Sequence, residues 1–167
     1  TDVPGLRAVL EELPPPRGAG ALLLGAGGAA RAAARVLAQR EGPLWVAARN
    51  PERIRDLEAS VPGLEGRCRP LPWGDLPPEP WDLLVHATPL GLPDRPWDGA
   101  YLERLLDRGP SRVLDLVYRP QGPTELEARA RERGLGVAGG RRLLLHQGAA
   151  TLRLLADREV PLAVLER

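Results

Sequence analysis

The run Gly25-Ala26-Gly27-Gly28-Ala29-Ala30 constrains the fold more than any other feature of these 167 residues. It follows Ala21-Leu22-Leu23-Leu24, a short apolar run that reads as a buried parallel strand. It precedes Ala29 to Gln39, rich in Ala, Arg and Leu, with Ala33, Val36 and Leu37 on one face, which predicts a helix. A glycine-rich pattern between a strand and a helix is the context in which phosphate-binding turns occur. Gly25 permits the tight turn, and Gly27 lets a pyrophosphate approach the backbone. Ala30 is small enough for the helix to pack on the strand. The helix N-terminus offers free N–H groups and a positive dipole end. The expectation is a dinucleotide site formed by Gly25, Ala26, Gly27, Gly28, Ala29 and Ala30.

The rest of the chain alternates between the same two kinds of element. Strands are predicted at Leu44–Ala48, Arg67–Leu71, Asp82–Ala87, Val113–Val117 and Leu135–Ala138. Helices are predicted at Pro4–Leu13, Pro51–Ala59 (Asn50 as N-cap and Pro51 at its first position), within Trp97–Asp107, at Glu125–Arg133 and at Arg142–Ala156, with a short helical tail after Pro161. Such alternation implies an α/β, doubly wound parallel sheet flanked by helices: a Rossmann fold of order 3-2-1-4-5-6. The length suits one domain spanning 1–167. It would comprise an N-terminal helix and Pro-rich linker (1–17), a nucleotide-binding core (18–140) and C-terminal helices (141–167).

Composition narrows the function by exclusion. Apolar residues make up 43% and charged residues 27%, as in a globular protein, and the formal net charge of +1 gives no case for nucleic acid or an acidic membrane surface. No apolar run reaches the roughly 20 residues of a membrane span, and the acidic, proline-bearing start does not read as a signal peptide. Cys68 stands alone, so a reducing cytoplasm is expected, and Cys68 suggests no nucleophile because no His is near it in sequence. His86 and His146, without a carboxylate cluster nearby in sequence, make no case for a metal. All 23 basic residues are Arg. No Schiff base, lysine base or P-loop lysine can come from these residues.

The end of the second strand selects the cofactor. A domain that prefers NAD places Asp or Glu there, on the ribose 2′-hydroxyl. Here the segment reads Ala47-Ala48-Arg49-Asn50. Arg49 can pair with a 2′-phosphate, Asn50 can add a donor, and Arg53, one turn on, can lie over the adenine or assist the phosphate. The expectation is NADP.

Later segments, taken in order, carry a family resemblance. Arg49-Asn50-Pro51-Glu52-Arg53 is similar to an Asn-Arg-Thr-x-x-Arg segment. His86-Ala87-Thr88-Pro89-Leu90-Gly91 resembles Asn-Ala-Thr-x-x-Gly, with His86 in place of Asn. Asp115 to Pro120 resembles Asp-x-x-Tyr-x-Pro. Gly140 to Ala149 is similar to Gly-x-x-Met-Leu-x-x-Gln-(Gly/Ala)-Ala, with Leu143 for Met and Arg142 where Gly is common. Thr1 to Gly5 resembles the tail of Asn-Thr-Asp-x-x-Gly. Together with the glycine turn, these motifs resemble the C-terminal, NADP-binding half of the shikimate dehydrogenases, enzymes of aromatic amino acid (chorismate) biosynthesis.

The resemblance implies reversible hydride transfer between NADPH and the ketone of 3-dehydroshikimate. It implies Asp2 as the carboxylate of a catalytic Lys-Asp pair. Tyr118 and Gln147 are implied as substrate contacts. Thr88, Pro89, Val117 and Gly140 are implied to line the cofactor cleft. The family's N-terminal domain, which carries the lysine, normally precedes the Asp2 motif. The expectation for the chain as given is therefore NADP binding with poor turnover of shikimate, whether as an excised domain, a truncated product or a stand-alone module. Two alternatives stand beside it: a non-catalytic NADP-binding module that docks to a partner, and a Rossmann domain like those of quinate dehydrogenase or glutamyl-tRNA reductase. A homodimer and a monomer both stay open.

Overall fold

A computed structural model describes residues 2–14, 18, 20–108, 110–156 and 161–165; most of the Pro14–Gly18 break expected as a linker lies outside them. The elements run α1 (Asp2–Glu12), β1 (Gly20–Leu24), α2 (Gly28–Leu37), β2 (Leu44–Ala48), α3 (Pro51–Ser60), β3 (Cys68–Pro72), β4 (Trp81–His86), α4 (Gly99–Asp107), β5 (Arg112–Asp115), α5 (Glu125–Glu132), β6 (Gly136–Ala138), α6 (Gly140–Ala156) and α7 (Leu162–Leu165). The six strands form one parallel sheet ordered β3-β2-β1-β4-β5-β6, the expected order.

The strands of the centre alternate their side chains between two buried faces. Ala21, Leu23, Leu44, Val46, Leu83 and Val85 point to the face covered by α1, α2 and α3, with Leu143 of α6. Leu22, Leu24, Trp45, Ala47 and Leu84 point to the face covered by α4 and α5. That is why these strands read as apolar runs rather than as alternation: a parallel sheet with helices on both sides has no wet face. Trp45, Trp81 and Trp97 are all in the second core. They supply large aromatic volume in a chain without phenylalanine.

Boundaries differ from the sequence reading where a side chain or a close approach intervenes. β5 stops at Asp115, two residues early, because the Asp115 carboxylate takes the Val117 N–H (3.0 Å) that would otherwise continue the ladder. β3 is shifted one residue on, since the Arg67 N–H bonds the Leu64 carbonyl (2.9 Å) in a turn, while its guanidinium donates to the carbonyls of Ala38 (2.6 Å) and Arg40 (2.5 Å) just beyond the end of α2. α6 begins at Gly140 rather than Arg142. A Cβ on Gly140 would collide with the Val117 carbonyl oxygen, so only glycine lets the helix start against the end of β5.

α1 lies across α6. Gly5 makes the crossing close: a Cβ there would meet Gln147 Cγ at 2.9 Å. Arg142 closes one end with two hydrogen bonds to Glu12, each 2.7 Å, and His146 Nε2 adds a third contact at 3.0 Å. The Arg142 hydrogen bonds hold the Glu12 carboxyl below its ordinary pKa. Arg142, which departs from the resembled motif, thus ties the two helices together.

Candidate functional site: the carboxyl edge of the sheet

β1 and β4 are neighbours, and the connection direction reverses between them, so the crevice beyond their carboxyl ends is where a ligand is expected in this architecture. The glycine turn forms one wall. Gly25 has φ +109°, and a Cβ there would sit 2.7 Å from the Ala87 carbonyl oxygen and 3.2 Å from Thr88 Cγ2. Only glycine fits, and its fit brings the turn directly over the Ala87-Thr88-Pro89 segment after β4. Gly25 N–H is held by the Ala47 carbonyl (2.8 Å), which ties the turn to β2 as well.

Gly27 and Gly28 are the opposite case. A Cβ on either would meet nothing within 4 Å. They stand at the N-terminus of α2, whose N-cap Gly27 makes no side-chain hydrogen bond to the first turn. That turn therefore presents unpaired N–H groups to open space, the geometry of an anion site. Ala26 is half-buried and Ala29 exposed, while Ala30 is fully buried and packs α2 onto the sheet.

Arg49 follows the last residue of β2, and Arg53 lies in the first turn of α3. Both are exposed, and among the described residues neither guanidinium has a hydrogen-bond or ion-pair partner. No carboxylate occupies the end of β2. Asn50 is partly committed: its Oδ1 caps α3 by accepting from Glu52 N–H at 2.9 Å, leaving its amide NH2.

On the other side of the crevice, Gly140 abuts Val117 and Tyr118 N, joining the ends of β5 and β6. Tyr118 is 44% exposed. It lines a cleft of about 1000 Å3 that also takes in Arg119, Glu127, Gly139 and Arg142, on the β6 side of the sheet and away from the glycine turn. Glu127 is nearly buried against Gly139. Burial pushes its carboxyl pKa up, while Arg131 at 2.7 Å pulls it back. Gln147 does not line that cleft. It faces α1, where its Nε2 donates to Asp2 Oδ1 at 3.0 Å. So Gly25 is joined to Thr88, Val117 to Gly140 and Tyr118, and Asp2 to Gln147. Cys68 lies apart on β3, and burial raises its thiol pKa to about 11, which leaves no thiolate at neutral pH.

One grouping escapes the sequence reading. His86 and Asp115 are register partners at the ends of β4 and β5, both fully buried and bonded to one another at 2.8 Å. The available signal was that each apolar strand closes on a polar residue. Pairing them requires the register. Among the described residues no group of three metal-ligating side chains comes together, and no helix is long and apolar enough to cross a membrane.

This fold and this edge define a dinucleotide-binding Rossmann unit. No protein-family model matches the chain. It is 37% identical over 171 residues to the shikimate dehydrogenase (NADP(+)) of Anaeromyxobacter sp. strain K, covering 100% of this chain and 59% of that protein. It is 40% identical over 175 residues to that of Moorella thermoacetica, covering 100% and 58%. Among solved structures, the shikimate 5-dehydrogenase of Thermus thermophilus in complex with NADP(H) and shikimate aligns at TM-score 0.74 and 32% identity, over 97% of this chain and 58% of that one. The quinate dehydrogenase of Corynebacterium glutamicum in complex with NAD aligns at 0.80 and 27%, over 98% and 59%. Along its whole length the chain is similar to shikimate dehydrogenases, and it spans about 59% of the length of the curated relatives that it matches.

Proposed function

We propose that the chain binds NADP(H) along the carboxyl edge of the sheet and forms the cofactor half of a shikimate dehydrogenase-type oxidoreductase. The observation that carries this is Arg49: an exposed, unpaired guanidinium at the end of β2, where an NAD-preferring domain has a carboxylate, beside the bare N-terminus of α2. The open space over Gly27 and Gly28 fits a pyrophosphate, and Arg49, with Arg53 and the Asn50 amide, would hold a 2′-phosphate. Thr88, Pro89, Val117 and Gly140 would flank the nicotinamide end. When bound, the cofactor supplies the hydride that interconverts the ketone of 3-dehydroshikimate and the alcohol of shikimate.

The chain's own residues supply only part of the remaining chemistry. Ketone reduction needs a proton delivered to oxygen. No lysine is present among the 167 residues. Asp2 accepts a hydrogen bond from the Gln147 amide, so its carboxylate is placed to orient a donor rather than to be one. Tyr118 and Gln147 would contact the substrate. The likeness to a quinate dehydrogenase supports a second reading of the substrate, a related polyol acid. A single half-buried cysteine suits a cytoplasmic setting.

Titration of the chain with NADPH and with NADH tests the cofactor reading. NADPH is expected to bind more tightly, and shikimate oxidation by these residues alone is expected to be negligible. Failure to bind either nucleotide removes the proposal, and efficient turnover removes the account of the missing proton donor.

A further inference from the structure

The polar chain behind Thr88 has a direction. Asp115 Oδ2 lies 2.5 Å from Thr124 Oγ1, which itself accepts from Glu127 N–H at 3.1 Å, so the Thr124 hydroxyl proton points to Asp115. Asp115 Oδ1 accepts from Val117 N–H at 3.0 Å and sits 2.8 Å from His86 Nδ1. Both Asp115 oxygens thus receive donors, and the contact with His86 is met by a proton on Nδ1. A neutral imidazole protonated there carries a lone pair on Nε2. With the imidazole in that form, Nε2 accepts across the 2.6 Å to Thr88 Oγ1, and Thr88 is the donor. One Thr88 lone pair is taken by Leu90 N–H at 3.2 Å. One lone pair is left, and no proton. Trp97, its ring 4.6 Å from the imidazole, fixes the His86 ring in this fully buried position.

We propose that His86 is a positioning residue: it turns the Thr88 hydroxyl proton inward, so that Thr88, whose methyl faces Gly25, presents a hydrogen-bond acceptor to the crevice. An acceptor there selects a donor group of the dinucleotide, a ribose hydroxyl or a carboxamide N–H, and disfavours a phosphate oxygen. The inference rests on the dinucleotide reading above. It adds to it a polarity, and a role for a residue that departs from the resembled motif.

Long-range proton–nitrogen NMR of the 167-residue chain, with His146→Gln to leave His86 as the one imidazole, reads the tautomer directly. The neutral, Nδ1-protonated form is expected at pH 7.5. The Nε2-protonated tautomer or an imidazolium would overturn the proposal. NADPH titrations of Thr88→Ser and Thr88→Val complete the test. The serine variant is expected to bind about tenfold more tightly than the valine variant. Equal affinities, with NADPH still bound by the unsubstituted chain, would overturn this inference and leave the nucleotide reading standing. No NADPH binding by the unsubstituted chain would overturn both.

Discussion

At the ends of β1 and β2, polar groups are left without partners. At the ends of β4 and β5, every polar atom of the buried network is matched. The first side has the uncapped α2, the open space over Gly27 and Gly28, and the unpaired Arg49 and Arg53. The second has the Thr88–His86–Asp115–Thr124 chain. The contrast extends to helix starts. Asn50, Asp98 and Thr124 cap α3, α4 and α5 by accepting from Glu52, Tyr101 and Glu127 N–H, whereas Gly27 caps nothing. Helices lose about 1 kcal/mol when such a cap is missing. An uncapped turn at the crevice is therefore a cost to stability that a phosphate can offset, and the matched side is what keeps the crevice walls in place.

The largest effect expected is on the matched side. Asp115→Ala would leave His86, Thr124 and Val117 N–H without their acceptor inside the core and should cost about 3–5 kcal/mol in urea unfolding. A loss under about 1 kcal/mol, the size of one ordinary hydrogen bond, would mean the network does not hold the edge together. Next comes the hinge between the sides. Gly25→Ala forces a side chain into φ +109° and against the Ala87 carbonyl. About 3 kcal/mol of destabilisation is expected, with loss of NADPH binding; unchanged thermal stability would contradict the described turn.

Arg49→Ala addresses the open side alone. NADPH affinity should fall roughly tenfold to a hundredfold, from about 1.5–3 kcal/mol of charge-assisted hydrogen bonding, while NADH affinity stays put. Parallel losses for both nucleotides would take the 2′-phosphate away from Arg49. The smallest effect is expected at Gly27. Gly27 has an extended, N-cap-like backbone (φ −88°) and room for a side chain. Gly27→Asp should therefore cap α2 and raise stability by about 0.5 kcal/mol, while its carboxylate repels the pyrophosphate and weakens NADPH binding. A gain in stability with no loss of binding would place the nucleotide elsewhere.

Much of this edge was legible in the residues. Strand and helix signals for α2, β2 and α3 depend on local periodicity and local caps, so those elements fall within about two residues of their expected limits, and the order 3-2-1-4-5-6 follows from the handedness of parallel connections. The start of α6 was not legible. Glycine is a poor helix former, and what permits Gly140 to begin a helix is the Val117 carbonyl lying against it, from 23 residues earlier in the chain.

The alternation, the glycine turn and the absence of a carboxylate after β2 are each written in neighbouring residues. Which residues share a wall depends on contacts made when the chain folds. His86 meets Asp115 through the register of β4 against β5, Asp2 meets Gln147 because Gly5 lets α1 approach α6, and Thr88 sits beneath Gly25 because the turn fits over the Ala87 carbonyl. Those pairings are contacts between distant segments, set by packing and hydrogen-bond satisfaction in the folded chain.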